Sequence, residues 1–158
     1  MRRFFASFVV ALALAGPLAP DAVAQPAYFT RYDDLNMTRT PDGVLTVEMN
    51  TAGGPLKFTA HDHEAFVDAF YEIGRDRANK VVILTGADGQ WMPDIDFQSF
   101  GNVADPDVWA KIHADGTQML ENIANIRAPV ICAVEGKAWH GPAHEFEFHW
   151  RRWPYFNP

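Results

Sequence analysis

Two short apolar runs constrain this chain more than anything else in it. Lys80-Val-Val-Ile-Leu-Thr-Gly86 and Ala128-Pro-Val-Ile-Cys-Ala-Val-Glu-Gly136 are rich in β-branched residues and lack polar alternation. That is the pattern of strands buried on both faces in a parallel sheet. Parallel strands need a crossover between them, and the intervening segment supplies one. Trp91-Met-Pro-Asp-Ile-Asp96 reads as a loop opening a short helical turn near Phe97-Gln-Ser-Phe100. Asp105-Pro-Asp then starts a long helix, with Pro106 at a tolerated first-turn position. Its apolar stripe is Ile112, Met119, Ile123 and Ile126, with Leu120 beside it. Arg127 is expected to close it. Turns placed after two neighbouring strands can aim backbone N–H groups at one point, which suits stabilisation of negative charge developing on a carbonyl oxygen.

The segment before the first run completes the pattern. Leu35 to Thr40 and Val44 to Asn50 alternate around Pro41-Asp-Gly43, which predicts a β-hairpin. Ala52-Gly-Gly-Pro55 is a second turn. Thr59-Ala-His-Asp62 has capping-box spacing, and Phe66, Ala69, Phe70 and Ile73 then recur at helical spacing to about Arg77. Strand, helix, strand, helix, strand in this order predicts a parallel α/β arrangement led by one hairpin.

The ends of the chain read differently. Arg2 and Arg3, the apolar stretch Phe4 to Leu14, and Ala22-Val-Ala24 form the three parts of a secretory signal peptide. Residues 1–24 are therefore expected to be cleaved after Ala24, which puts the mature chain in the periplasm or outside the cell. Residues 25–146 are expected to form the folded domain. From about Phe146 onward, aromatic side chains crowd together with Arg151, Arg152, Pro154 and Pro158, with neither helical nor strand periodicity. We read residues 147–158 as an atypical tail with the look of a frameshifted reading; the competing reading is an aromatic membrane-surface tail.

A net charge of −7 excludes the basic footprint of a nucleic-acid binder. Cys132 is the lone cysteine, so no intramolecular disulfide can form, and its apolar strand makes it a packing residue rather than a nucleophile. Among six histidines, His61-x-His63 and His140-x-x-x-His144 have spacings that could suggest metal binding. The second pair encloses Gly141 and Pro142, and no HExxH pattern is present, so no metal site is expected. Asp94 and Asp96 alternate on an extended stretch, which points them apart. Asp96 is the natural cap for the turn at Phe97. Trp91, Trp109 and Trp139 read most simply as packing residues.

From about Gly43 to Glu145 these segments resemble the crotonase (enoyl-CoA hydratase/isomerase) superfamily, over the first half of its fold. The resemblance implies a crotonase-like ββα spiral. The family places one oxyanion donor in a loop of the kind F-C-A-G-A-D-L, where this chain has Trp91-Met-Pro-Asp-Ile-Asp-Phe97; the donor position falls on Ile95 N–H. The second donor, in a G-x-A-x-G-G-G turn, falls on Gly141 N–H within Gly136-Lys-Ala-Trp-His-Gly-Pro142. Asp94 replaces the glycine of the first loop, and Gly53-Gly-Pro-Leu-Lys-Phe-Thr-Ala60 replaces the usual N-A-L box near the CoA site.

These departures resemble the 6-oxocamphor hydrolase type of β-diketone hydrolase, with its A-E-I-D-F loop, its G-G-P-L followed by an aromatic residue and a histidine (here Phe58 and His63), and its second-turn histidine before proline. His140 lies one residue early for that last position, or Gly141 stands in its place. By resemblance, His140 would act as base or as hydrogen-bond donor to the enolate, with Ile95 and Gly141 N–H as charge stabilisers. Phe58, His63, Asp94 and Trp91 would line the substrate pocket. The implied partner is a small-molecule substrate, with no cofactor, no membrane contact in the mature chain, and a homotrimer or hexamer at full length. The family's further acidic residues have no counterpart in this sequence. The alternatives are an acyl-CoA hydratase or isomerase, or an inactive fragment.

Overall fold

The computed structural model describes residues 25–138. A 3₁₀ turn at Ala27–Thr30 leads into a hairpin of β1 (Leu35–Arg39) and β2 (Val44–Met49). A two-residue strand β3 (Lys57–Phe58) precedes helix α1 (Ala60–Arg75). Then follow β4 (Val81–Gly86), a two-residue strand β5 (Asp94–Ile95), helix α2 (Pro106–Ala124) and β6 (Val130–Ala133). The main sheet has the order β1-β2-β4-β6, antiparallel at the hairpin and parallel from β2 onward. This is the mixed α/β arrangement expected from the order of segments.

The α1 capping box forms as its sequence dictates. Thr59 Oγ1 accepts from Asp62 N–H, and Asp62 Oδ2 accepts from Thr59 N–H at 2.8 Å. Asp105 caps α2 by accepting from Asp107 N–H. Leu45, Val47 and Val82 from the sheet are fully buried, against Phe66, Ala69, Phe70 and Ile73 of α1 and Met119 of α2. Asn122 Nδ2 donates to Val67 O at 2.9 Å and locks the two helices together.

Four details differ from expectation. Helix α1 stops at Arg75, because the Asp76 cap adopts extended backbone. Helix α2 ends at Ala124 with Asn125 as its cap, so Ile126 is buried from the connection rather than from the helix, and Arg127 lies outside it. Among the described residues β6 is an edge strand of the sheet: Ile131 is 52% exposed and Cys132 only half-buried, so this run is not enclosed on both faces. Burial still pushes the Cys132 thiol pKa up, which keeps it protonated and unreactive. The two-residue pair β3–β5 was not readable, being too short for any period to show.

One acid pair ties the hairpin to α1. Desolvation, together with the Asp62 carboxyl beside it and the charge of Asp33, pushes Asp34 up to about 6. Between the unfolded value of 3.8 and about 6, the folded chain holds a proton that the unfolded chain has released. Stability therefore falls as pH rises through that window. Urea midpoints measured from pH 4 to pH 7 are expected to drop across it in the wild type, and Asp34→Asn is expected to flatten that drop.

Candidate active site

The carboxyl ends of β4 and β6 and the loops leaving them form one joined structure. Trp91 N–H donates to Glu135 O at 2.9 Å, Met92 N–H to Lys137 O at 3.2 Å, and Lys137 N–H to Gln90 Oε1 at 2.9 Å. A parallel bridge pairs Met92 with Ala138. The two loops that the sequence marked as potential donors are thus sewn together. Two glycines make this possible. A methyl on Gly86 would overlap Gln90 O and stand 2.7 Å from that residue's carbonyl carbon. Gly136 takes φ 58 and would drive a methyl into Gly89 O.

The first loop then lies parallel to β3, with Phe58 opposite Ile95. Asp96 N–H donates to Phe58 O at 2.8 Å. Because successive N–H groups of an extended strand alternate in direction, Ile95 N–H faces away from β3. It donates instead to Asp94 Oδ1 at 2.9 Å. The backbone donor that the sequence singled out is therefore free of the ladder and holds a carboxylate oxygen. Asp96 is turned the other way, as expected. Its side chain accepts from Gln98 N–H and pairs with Lys57 Nζ at 3.0 Å, an exposed pair of small energetic worth.

Phe58 is buried, and its ring meets His63 edge-on with centroids 6.0 Å apart. Phe100 closes the group, 5.7 Å from the His63 ring. His63 projects from the first turn of α1 towards Gly116 of α2, where a methyl would approach His63 Nε2 to 3.3 Å. Desolvation lowers the His63 pKa, partly offset by Asp115, so the imidazole is neutral near pH 7. The structure thus brings Phe58, His63 and Ile95 onto one side of the fold, with Asp94 exposed beside them. Phe100 was missed as a member; its spacing from Phe97 within a short turn carried no signal for it. Trp91 is partly buried against the core, the packing role that its sequence context suggested, and only its backbone joins the two loops. Gln90 was also missed. His140 and Gly141 lie outside the described residues, two and three positions beyond Ala138.

If Asp94 competes with a substrate oxygen for Ile95 N–H, its charge matters more than its shape. Asp94→Asn keeps the size and removes the anion. An anionic or enolate-like ligand is expected to bind roughly 10-fold more tightly to that variant, an effect of about 1.4 kcal/mol, measured by isothermal titration calorimetry.

No protein-family model and no curated protein matches the chain significantly. Solved structures do. A β-diketone hydrolase from the cyanobacterium Anabaena sp. PCC 7120, bound to (S)-3-oxocyclohexyl acetic acid, is 49% identical, with a TM-score of 0.71 over 72% of this chain and 46% of that one. An enoyl-CoA hydratase/carnithine racemase from Magnetospirillum magneticum is 25% identical, with a TM-score of 0.59 over 70% of this chain and 42% of that one. An enoyl-CoA hydratase from Mycobacterium smegmatis, 22% identical with a TM-score of 0.55 over 64% of this chain and 39% of that one, shares the fold. The chain spans less than half the length of each of these proteins. By its fold and by the sequence it shares with these structures, the chain belongs to the crotonase (enoyl-CoA hydratase/isomerase) superfamily.

Proposed function

We propose that this chain contributes to hydrolysis of a carbon–carbon bond in a β-diketone that is not a CoA thioester. The observation that carries this reading is Ile95 N–H, which stands outside the β3–β5 ladder and holds an anionic oxygen. The 49% identity to a β-diketone hydrolase supports the substrate class. The signal-peptide pattern of residues 1–24 supports it as well, since an exported enzyme would not meet intracellular CoA thioesters.

In this reaction water adds to one carbonyl carbon, the bond to the central carbon breaks, and the central carbon leaves as an enolate of the other carbonyl. One fragment becomes a carboxylic acid; the enolate takes a proton and becomes a ketone. His140 would remove the proton from the attacking water or donate to the enolate oxygen. Ile95 N–H, with Gly141 N–H from the second turn, would hold the oxygen on which charge develops. That oxygen would displace Asp94 Oδ1 from Ile95 N–H. Phe58, Phe100 and neutral His63 supply an apolar wall that strengthens these hydrogen bonds by excluding water.

The test is nuclear magnetic resonance of ¹⁵N-labelled protein titrated with (S)-3-oxocyclohexyl acetic acid, the ligand of the Anabaena protein. The Ile95 amide proton is expected to shift saturably, with the Phe58 and His63 resonances following. Saturable binding that leaves Ile95 unmoved would refute the donor assignment.

A further inference from the structure

The opposite pole of the fold carries a second feature, independent of the reading above. At the amino ends of β4 and β6, an open groove of about 450 Å³ lies between the last turns of α1 and α2. Arg75, Arg77 and Arg127 line it, with Tyr71, Asn125 and Gly74. An adjoining groove of about 320 Å³ shares Gly74, Arg77 and Arg127 and adds Lys80 and Asp76. The six residues of β4 separate this place from the candidate active site by about 20 Å.

Among the described residues, Arg75, Arg77 and Arg127 pair with no carboxylate. Every ion pair among the described residues is made elsewhere, by Arg31, Arg39, Lys57 and Lys111. The nearest acids in sequence are already engaged: Glu72 by Arg31 and Tyr32, and Asp76 by Arg39, Tyr28 and the Ala78 N–H. Arg75 is held over the Tyr71 ring, 5.2 Å from its centroid, and donates to the Tyr71 hydroxyl, which fixes its guanidinium at the rim. In a chain of net charge −7, three guanidinium groups around one groove without an acidic partner among the described residues are a local reversal of sign.

The helix ends account for part of this, because cations near a carboxyl-terminal turn complement its dipole. They do not account for the groove or for its floor. Gly74 lies inside α1, where glycine weakens a helix. A methyl there would meet Ile126 only at an ordinary 3.6 Å. Packing thus leaves room for a methyl group at position 74, and glycine keeps the floor open.

We propose that this groove binds the phosphate or pyrophosphate group of a small molecule. Guanidinium forks match tetrahedral oxyanions with paired hydrogen bonds and retain their charge at every physiological pH. Tyr71, half exposed at the rim, holds the Arg75 guanidinium in place there.

The probe is pyrophosphate, titrated into the full chain at constant ionic strength set by sodium chloride, with arginine Nε–Hε and backbone resonances followed. Saturable shifts are expected at Arg75, Arg77, Arg127 and Asn125. The R77Q/R127Q variant is expected to bind at least 10-fold more weakly, with an unchanged thermal midpoint. R127K, which keeps the charge and loses the fork, is expected to fall between the two. R31Q, on a surface ion pair, is the control and is expected to bind as the wild type does. Shifts that grow linearly, that sodium sulfate reproduces equally, or that survive in R77Q/R127Q would overturn the proposal and leave the arginines as partners of the helix ends. Retention on phosphatidic-acid vesicles without any response to pyrophosphate would also overturn it, in favour of a lipid headgroup.

Discussion

Replacing Gly86 by alanine is expected to destabilise the protein by about 3 kcal/mol or more, the upper end of what overpacking costs. The reason is space and not conformation. Gly86 has φ −108, which any residue adopts, but its added methyl would collide with the backbone of Gln90 and lie 2.8 Å from Trp91 O. Neither obstacle is a side chain that can swing aside. The backbone at Gln90 and Trp91 would have to move, and with it the Trp91 N–H that holds Glu135 O and the Gln90 side chain that holds Lys137 N–H across the two loops. Loss of stability and loss of ligand binding are therefore expected together, read by urea denaturation and by calorimetry on the same samples. Alanine at Gly54, where the added methyl would come no nearer than 3.7 Å to Thr51 O, is the matched control and is expected to change stability little. An unaltered urea midpoint in Gly86→Ala would show that the loops are not braced at this point.

The second large effect is expected at His140. If it serves as general base or as enolate donor, His140→Ala should lower the rate of β-diketone cleavage by about two to four orders of magnitude. Its thermal midpoint should stay within a degree or two of the wild type, because the described core from Tyr28 to Ile126 is complete without it. His63→Ala should behave in the opposite way. It removes a ring packed against Phe58 and Phe100, so it should cost stability and raise KM more than it lowers kcat. Retention of full activity in His140→Ala would remove that residue from the mechanism and turn attention to Gly141 and the groups around it.

How much of this was legible in the sequence depends on the range over which each cause acts. Thr59 and Asp62 are three residues apart, and their reciprocal hydrogen bonds were readable from spacing alone. The hairpin around Asp42 and Gly43 and the parallel run at Val81–Gly86 were readable for the same reason, because their patterns are local and periodic. The edge position of β6 was not. An apolar run says that a strand is buried, but neighbours set by the rest of the chain decide on how many sides, and Ile131 is left exposed.

The candidate site shows the same division. The motif picked out Ile95, and the β3–β5 register explains why its N–H is free of the ladder. That Asp94 would occupy this N–H was not foreseen, since a side-chain rotamer decides it and the sequence does not record rotamers. Gln90 holding Lys137, 47 residues away, and Arg127 joining Arg75 and Arg77 around one groove depend wholly on the tertiary fold.

Exposure of a cyclic, non-CoA β-diketone to the protein, with its enol ultraviolet absorbance followed over time, tests the central claim most directly. The account predicts that the absorbance decays catalytically, that one carboxylic acid forms for each diketone lost, and that an enoyl-CoA thioester offered in parallel is left unhydrated. A diketone spectrum that stays constant while the thioester is consumed would contradict it and place the chain with the acyl-CoA hydratases.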